Sequence, residues 1–229
     1  MKQLVRTGAL LAVVLFIPLS SRADLVLKDS SYGPGTIIED TVTHLDWLKL
    51  TVTQNRSFDD VSSKFGPGEE FAGFQYGDVV QVGQLFKDGG LPSIVPSDTF
   101  PFGNLFSSNP SDVAAVTNLI TLFGSTFSDA DHPIESAGII GNHDLFGLGP
   151  DEIDVATLAV QTTFACAAVH CAVVHPLNGG TSGPGVLDTP LPQAGSFLFE
   201  SAPASVPEPS FTILIGIGLM SIVLRRILC

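Results

Sequence analysis

Fourteen consecutive residues near the C-terminus, Phe211 to Leu224, carry no charge and are almost all apolar; Val206-Pro207-Glu208-Pro209-Ser210 precedes them and Arg225-Arg226 follows. As a helix this run is about 21 Å long, well short of the roughly 30 Å of a bilayer's hydrocarbon core. It therefore predicts a brief transmembrane helix rather than a lasting anchor. Pro207 and Pro209 cannot continue a helix, and each pushes its preceding residue towards extended geometry, so Val206 to Glu208 is expected to stand clear of the membrane as a peptide a protease can grip. Arg225 and Arg226 hold the far end in the cytoplasm, and Gly216 and Gly218 leave a smooth face for docking against another membrane helix.

A Pro-Glu-Pro element, an apolar helix and a basic stop, in that order, resemble the PEP-CTERM signal read by exosortases. The resemblance implies an exosortase substrate sorted to the cell surface or an extracellular polysaccharide matrix, with Pro207, Glu208, Pro209, Arg225 and Arg226 as its sorting signal. The N-terminus agrees. Lys2 and Arg6 precede an apolar stretch from Gly8 to Leu19, broken by Pro18, and Ser21-Arg22-Ala23 puts small residues where a signal peptidase inspects them. Cleavage is expected between Ala23 and Asp24, and no Cys follows to make a lipoprotein. The expected organisation is a signal peptide at 1–23, an exported single domain at 24–205 and the sorting signal at 206–229. Before processing, the C-terminal helix makes the membrane a partner.

Five of the ten basic residues belong to the two terminal signals, which leaves Lys28, Lys49, Arg56, Lys64 and Lys87 against 23 acids that all lie between Asp24 and Glu208. No Lys or Arg occurs from Asp88 to Leu224. Such a surface repels phosphate backbones, which excludes nucleic acid as a partner, and its acidity keeps an exported protein soluble. About 180 exported residues suffice for one buried core. With Cys229 in the tail, Cys166 and Cys171 are the candidates for a disulfide; the bridge requires the chain to turn within Ala167-Ala168-Val169-His170, which holds no turn former. Adding His170 and His175 draws a metal set whose spacing fits no zinc module. Neither a metal nor any other cofactor is expected.

Strands are expected at Gly35–Thr43, Leu45–Val52, Ser136–Gly141, Val155–Val174 (more than one) and Gly195–Ser201. Three helices follow from their caps. Ser57 opens one, with Asp60 at the capping-box position and Phe58, Val61 and Phe65 on one face. Asp78 opens the second, with Gln81 three residues on and Val79, Val82, Leu85 and Phe86 as its apolar face. Asn109-Pro110 opens the third, where Val113, Val116, Leu119, Ile120 and Phe123 recur at helical spacing until Gly124. Together these predict an α+β fold, an antiparallel sheet with about three short helices on one side.

The stretch Leu45-Asp46-Trp47-Leu48-Lys49-Leu50, Asn55-Arg56-Ser57-Phe58-Asp59-Asp60-Val61 and Phe71-Ala72-Gly73-Phe74-Gln75-Tyr76 resembles the N-terminal half of many exosortase-sorted surface proteins. Its order of Trp strand, capped helix, Gly-aromatic turn and second helix is also similar to C-type lectin-like domains. That implies a carbohydrate-binding alternative in which Trp47 stacks on sugar, against the plainer reading of Trp47 as core. The usual calcium motif of those domains and their paired disulfides are absent from the sequence. Gly141-Asn142-His143-Asp144 looks like a metallophosphoesterase loop, a second alternative. The upstream Asp-x-His and Gly-Asp-x-x-Asp that such a site needs are missing: Gly77-Asp78-Val79-Val80-Gln81 lacks the second acid. Asp129, Asp131 and Glu135, or Asp151, Glu152 and Asp154, gather hard oxygens without EF-hand spacing. Asn55-Arg56-Ser57 has the form of a glycosylation sequon and reads as a helix cap. The expectation is a structural or adhesive exported protein without catalysis, processed by signal peptidase and exosortase, with extracellular polysaccharide as its surroundings.

Overall fold

The computed structural model describes residues 25–92, 105–128, 134–141, 152–161, 171–175, 181–182 and 185–201. The first half folds as β1 (Leu25–Ser30), β2 (Gly33–Asp40), β3 (Leu45–Leu48), α1 (Leu50–Thr53), α2 (Phe58–Ser62), β4 (Gln75–Tyr76) and α3 (Val79–Asp88). The second half adds β5 (Leu105–Ser107), α4 (Pro110–Phe123), β6 (Ile134–Ile140), β7 (Glu152–Gln161), β8 (Cys171–His175), β9 (Thr181–Ser182), β10 (Gly195–Ser196) and β11 (Leu198–Ser201).

The α+β class stands, but one antiparallel sheet becomes two sheets. A five-stranded antiparallel sheet runs β1-β2-β3-β11-β4, and a mixed six-stranded one contains the path β10-β6-β7-β8-β5 with β9 on β7. Most of its ladders are antiparallel, while β10 runs parallel to β6. Apart from β11, which joins the first sheet between β3 and β4, the strands of the second half pair with one another. The chain crosses between sheets at Phe197: Ser196 is registered with Ile139 of β6, and Leu198 with Tyr76 of β4. The Phe197 N–H donates to the Ile139 carbonyl at 2.9 Å, and its own carbonyl accepts from Gly77 at 2.7 Å. One residue thus ties the sheets together through backbone and ring.

The three cap-defined helices form where their side chains dictate. The Ser57 hydroxyl accepts from the Asp60 N–H at 3.1 Å. Asp78 and Gln81 close a reciprocal capping box at 2.8 and 2.9 Å. Asn109 accepts from the Ser111 N–H at 3.1 Å, Pro110 takes the first helical turn, and Gly124 ends the helix at φ 86°, a conformation that suits glycine. A fourth helix, α1, replaces the end of the strand expected at Leu45–Val52. Its residues favour strand by propensity, and tertiary contacts override that. Leu50 is wholly buried, and its backbone lies so close to Gly195 that a Cβ there would sit 2.1 Å from the Leu50 oxygen. The Thr53 hydroxyl accepts from the Ser196 N–H at 2.7 Å, which fixes this turn against β10.

The helices are not all on one side. Residues of α3 and α4 join Ile38, Trp47 and Phe199 of the first sheet and Ala156, Leu158 and Val174 of the second in one large core. A smaller cluster covers the opposite face of the first sheet: Val61 of α2, Phe71 and Phe74 pack on Ile37, Leu48 and Leu198. Successive residues of a strand point to opposite faces, so Ile37 and Ile38 serve different clusters. Among the described residues no helix is long and apolar enough to cross a membrane. The expected signal helix and C-terminal transmembrane helix lie outside the described residues.

Candidate functional site

Polar chemistry concentrates on the outer face of the five-stranded sheet, beyond the aromatic cluster. In β2, Glu39 stands opposite Asp46 of β3, and Asp46 opposite Glu200 of β11. Three carboxylates thus form a row across three adjacent strands. From β1, the Lys28 ammonium reaches Asp46 at 3.0 Å and Glu39 at 3.3 Å. Burial pulls the Lys28 pKa down, but the hydrogen bonds and charges of Asp46 and Glu39 outweigh it and leave it raised. Glu200 has no such cation to itself. Burial first, then the charge of Asp46, raises its pKa against the weaker pull of Lys28.

At the border of this row, Arg56 holds Asp60 at 2.6 Å and Glu70 at 2.9 Å. Its guanidinium lies 4.9 Å from the centre of the Phe71 ring, a cation–π placement. The hydrogen bond to Arg56 is the main reason that Asp60 titrates below its ordinary range. The Tyr32 hydroxyl donates to the Glu70 carbonyl, so the segment leading to Phe71 is tied to the β1–β2 turn as well. These charges fasten a layer onto the sheet.

Trp47 is core. It is 1% exposed, its ring meets Phe199 at 5.3 Å and Phe197 at 6.3 Å, and a Cβ on Gly77 would fall 2.7 Å from it. A sugar cannot stack there, so the lectin-like alternative loses its platform. The indole N–H has no hydrogen-bond partner among the described residues. Asp78, in the stretch compared with the phosphoesterase acids, caps α3. His143 and Asp144 lie outside the described residues, as do Asp129, Asp131, Asp151 and His170. Glu135 sits in β6, and Asp154 is buried in β7. Among the described residues no group of three or more His, Cys, Asp or Glu side chains could hold a metal ion. Cys171 is disulfide-bonded; Cys166, its expected partner, lies outside the described residues, as do Ala23 and Asp24.

Sequence reasoning missed the carboxylate row, because it exists only once β2, β3 and β11 are in register. In the sequence Glu39, Asp46 and Glu200 are single acids in separate strands, and no alternation marks them as a set.

The sorting residues Pro207, Glu208, Pro209, Arg225 and Arg226 also lie outside the described residues, and for them the comparison with known families is informative. Residues 205–227 match the family model of the PEP-CTERM protein-sorting motif. The chain is thus of the class of exported, membrane-transiting proteins. Within that class it carries the PEP-CTERM sorting motif, which marks a substrate for exosortase processing. No curated protein and no solved structure matches it.

Proposed function

We propose that the protein is a structural or adhesive component of the cell surface or of an extracellular polysaccharide matrix, released there when an exosortase cuts its tail, and that it performs no catalysis. The observation that carries this reading is the sorting motif at residues 205–227. The strongly acidic body agrees with it, since a soluble, anionic domain neither precipitates nor adheres to nucleic acid or anionic lipid once released. Several of its described acids serve the fold: Asp78 caps a helix, Asp40 closes the β2–β3 turn through Val42 and Thr43, and Asp60 and Glu70 secure Arg56.

The test is at Glu208. If Pro207-Glu208-Pro209 is recognised rather than a spacer, Glu208→Ala leaves membrane insertion intact, because the apolar run and Arg225-Arg226 are unchanged, yet blocks release of the body. Mass spectrometry of surface or matrix protein should find a first residue of Asp24 and a last residue near Pro207. Mature protein that still carries Arg225-Arg226 in cells with an active exosortase would reduce the tail to an ordinary anchor.

A further inference from the structure

Where α3 ends, a hollow of about 410 Å³ opens between Asp88, the first strand and the solvent side of α4. Gly89 lets the two helices close over it: a Cβ there would lie 2.4 Å from the Leu119 side chain, so only glycine brings the end of α3 this near. Leu25 and Leu122 give the hollow an apolar flank, and Asp88, Asn118 and Thr121 a polar one. Both Asp88 oxygens lie within hydrogen-bonding distance of the Gln84 amide nitrogen, at 2.9 and 2.8 Å, and the Asp40 side chain is its other polar neighbour, so the carboxylate is held in place. The Thr121 hydroxyl donates to Thr117 and can still accept. The Asn118 amide is exposed and contributes both donors and an acceptor.

No Lys or Arg lines the hollow, so nothing there would neutralise an anion. A fixed carboxylate, a free amide and a hydroxyl beside an apolar flank suit a neutral molecule with many hydroxyls and one apolar ring face. The volume falls within the roughly 300–1,000 Å³ usual for small-ligand pockets and admits a sugar ring rather than a folded partner. We propose that the hollow binds one neutral hexose unit of an extracellular polysaccharide, with Asp88 and Asn118 taking adjacent ring hydroxyls and Leu25 and Leu122 the apolar face. The assignment rests on the matrix reading above and moves sugar contact away from the buried Trp47.

The test uses the mature protein as released from cells. Glucose, galactose, mannose and N-acetylglucosamine are titrated by saturation-transfer NMR and calorimetry, with glucuronate as the anionic comparison and calcium chloride alone as the cationic one. At least one neutral hexose should bind, and glucuronate should bind more weakly than that hexose. Loss of a charged hydrogen-bond partner in Asp88→Asn should weaken binding by about tenfold or more, and Asn118→Ala by about fivefold. Asn118 is exposed, so its variant should fold as the parent does. The inference is overturned if no neutral hexose binds, if calcium alone occupies Asp88, or if both variants bind hexose as tightly as the parent. Failure of binding in protein whose C-terminus lies near Pro207 and which fractionates with the matrix would remove this site and leave the sorting reading intact. Hexose binding by protein that never reaches the matrix would do the reverse.

Discussion

The inner face of the five-stranded sheet is buried by side chains drawn from Ile38 to Phe199, including α3, α4 and the strands of the second sheet. The outer face, with Ile37, Leu48 and Leu198, is covered by the neighbouring stretch from Val52 to Tyr76, with Tyr32 beside it. Burial is equally complete in both places: Phe71 and Val61 outside are as inaccessible as Phe197 and Leu85 inside. The difference lies in how far along the chain the contacts reach. An inner contact holds both sheets and two helices in one cooperative unit. An outer contact holds a more local layer, pinned by Arg56 and Tyr32, which is expected to open before the rest unfolds.

Phe197→Ala should test this contrast most severely. The ring meets Trp47, Phe86 and Phe123 between 5.6 and 6.3 Å, and its loss should cost about 4 kcal/mol of global stability. Equilibrium denaturation should show one transition shifted as a whole; a separate early transition would mean that the two sheets are independent. Phe71→Ala comes next, at about 3 kcal/mol. Hydrogen exchange should rise between Phe58 and Tyr76 well before it rises in β6 and β7, and uniform loss of protection would erase the distinction between the faces. Asp78→Ala removes one half of the capping box and should cost about 1 kcal/mol. As α3 belongs to the inner core, that loss should appear in the global transition.

The smallest effect is electrostatic. Glu200 titrates above its ordinary range, so the folded state binds its proton more tightly than the unfolded chain does. The stability that this contributes is full below the ordinary glutamate pKa and is lost as pH rises through the raised folded value. At neutral pH the ionised Glu200 therefore weighs against folding beside Asp46. Glu200→Gln should make the protein slightly more stable at neutral pH, by less than the cap is worth, and the gain should vanish on acidification. Thermal melts of both proteins across acid to neutral pH measure the crossover; a gain that grows on acidification would show that Lys28 dominates the row.

What could be read from the sequence was whatever depends on neighbours a few residues away. Ser57, Asp78 with Gln81, and Asn109-Pro110 to Gly124 announce helices because a cap is a contact between adjacent turns. The sorting tail is legible for the same reason, since prolines, apolar run and arginines act in linear order without a fold to assemble them. The second sheet was not legible, because Ser136–Gly141 and Val155–Val174 are strand-like whichever strands they pair with. Nor was α1, where Val52 and Thr53 suit a strand until contact with Gly195 and Ser196 bends the chain. The hollow beside Asp88 needs two helix ends and the first strand in one place, and no local pattern records that meeting.

The position of β11 has a mechanical consequence. It lies between β3 and β4, hydrogen-bonded to both, and the polypeptide leads from Ser201 to Pro207 in six steps, at most about 20 Å of reach. On the sorting reading proposed above, the folded body is held close above the bilayer while the tail is cut. Any pull on that tail loads two ladders of the sheet at once. A pull on the other end, at β1, acts on a border strand with a single ladder to β2. A domain tethered through β11 is held by one of its more firmly gripped strands, so traction there meets the sheet before it can strip the terminal strand away.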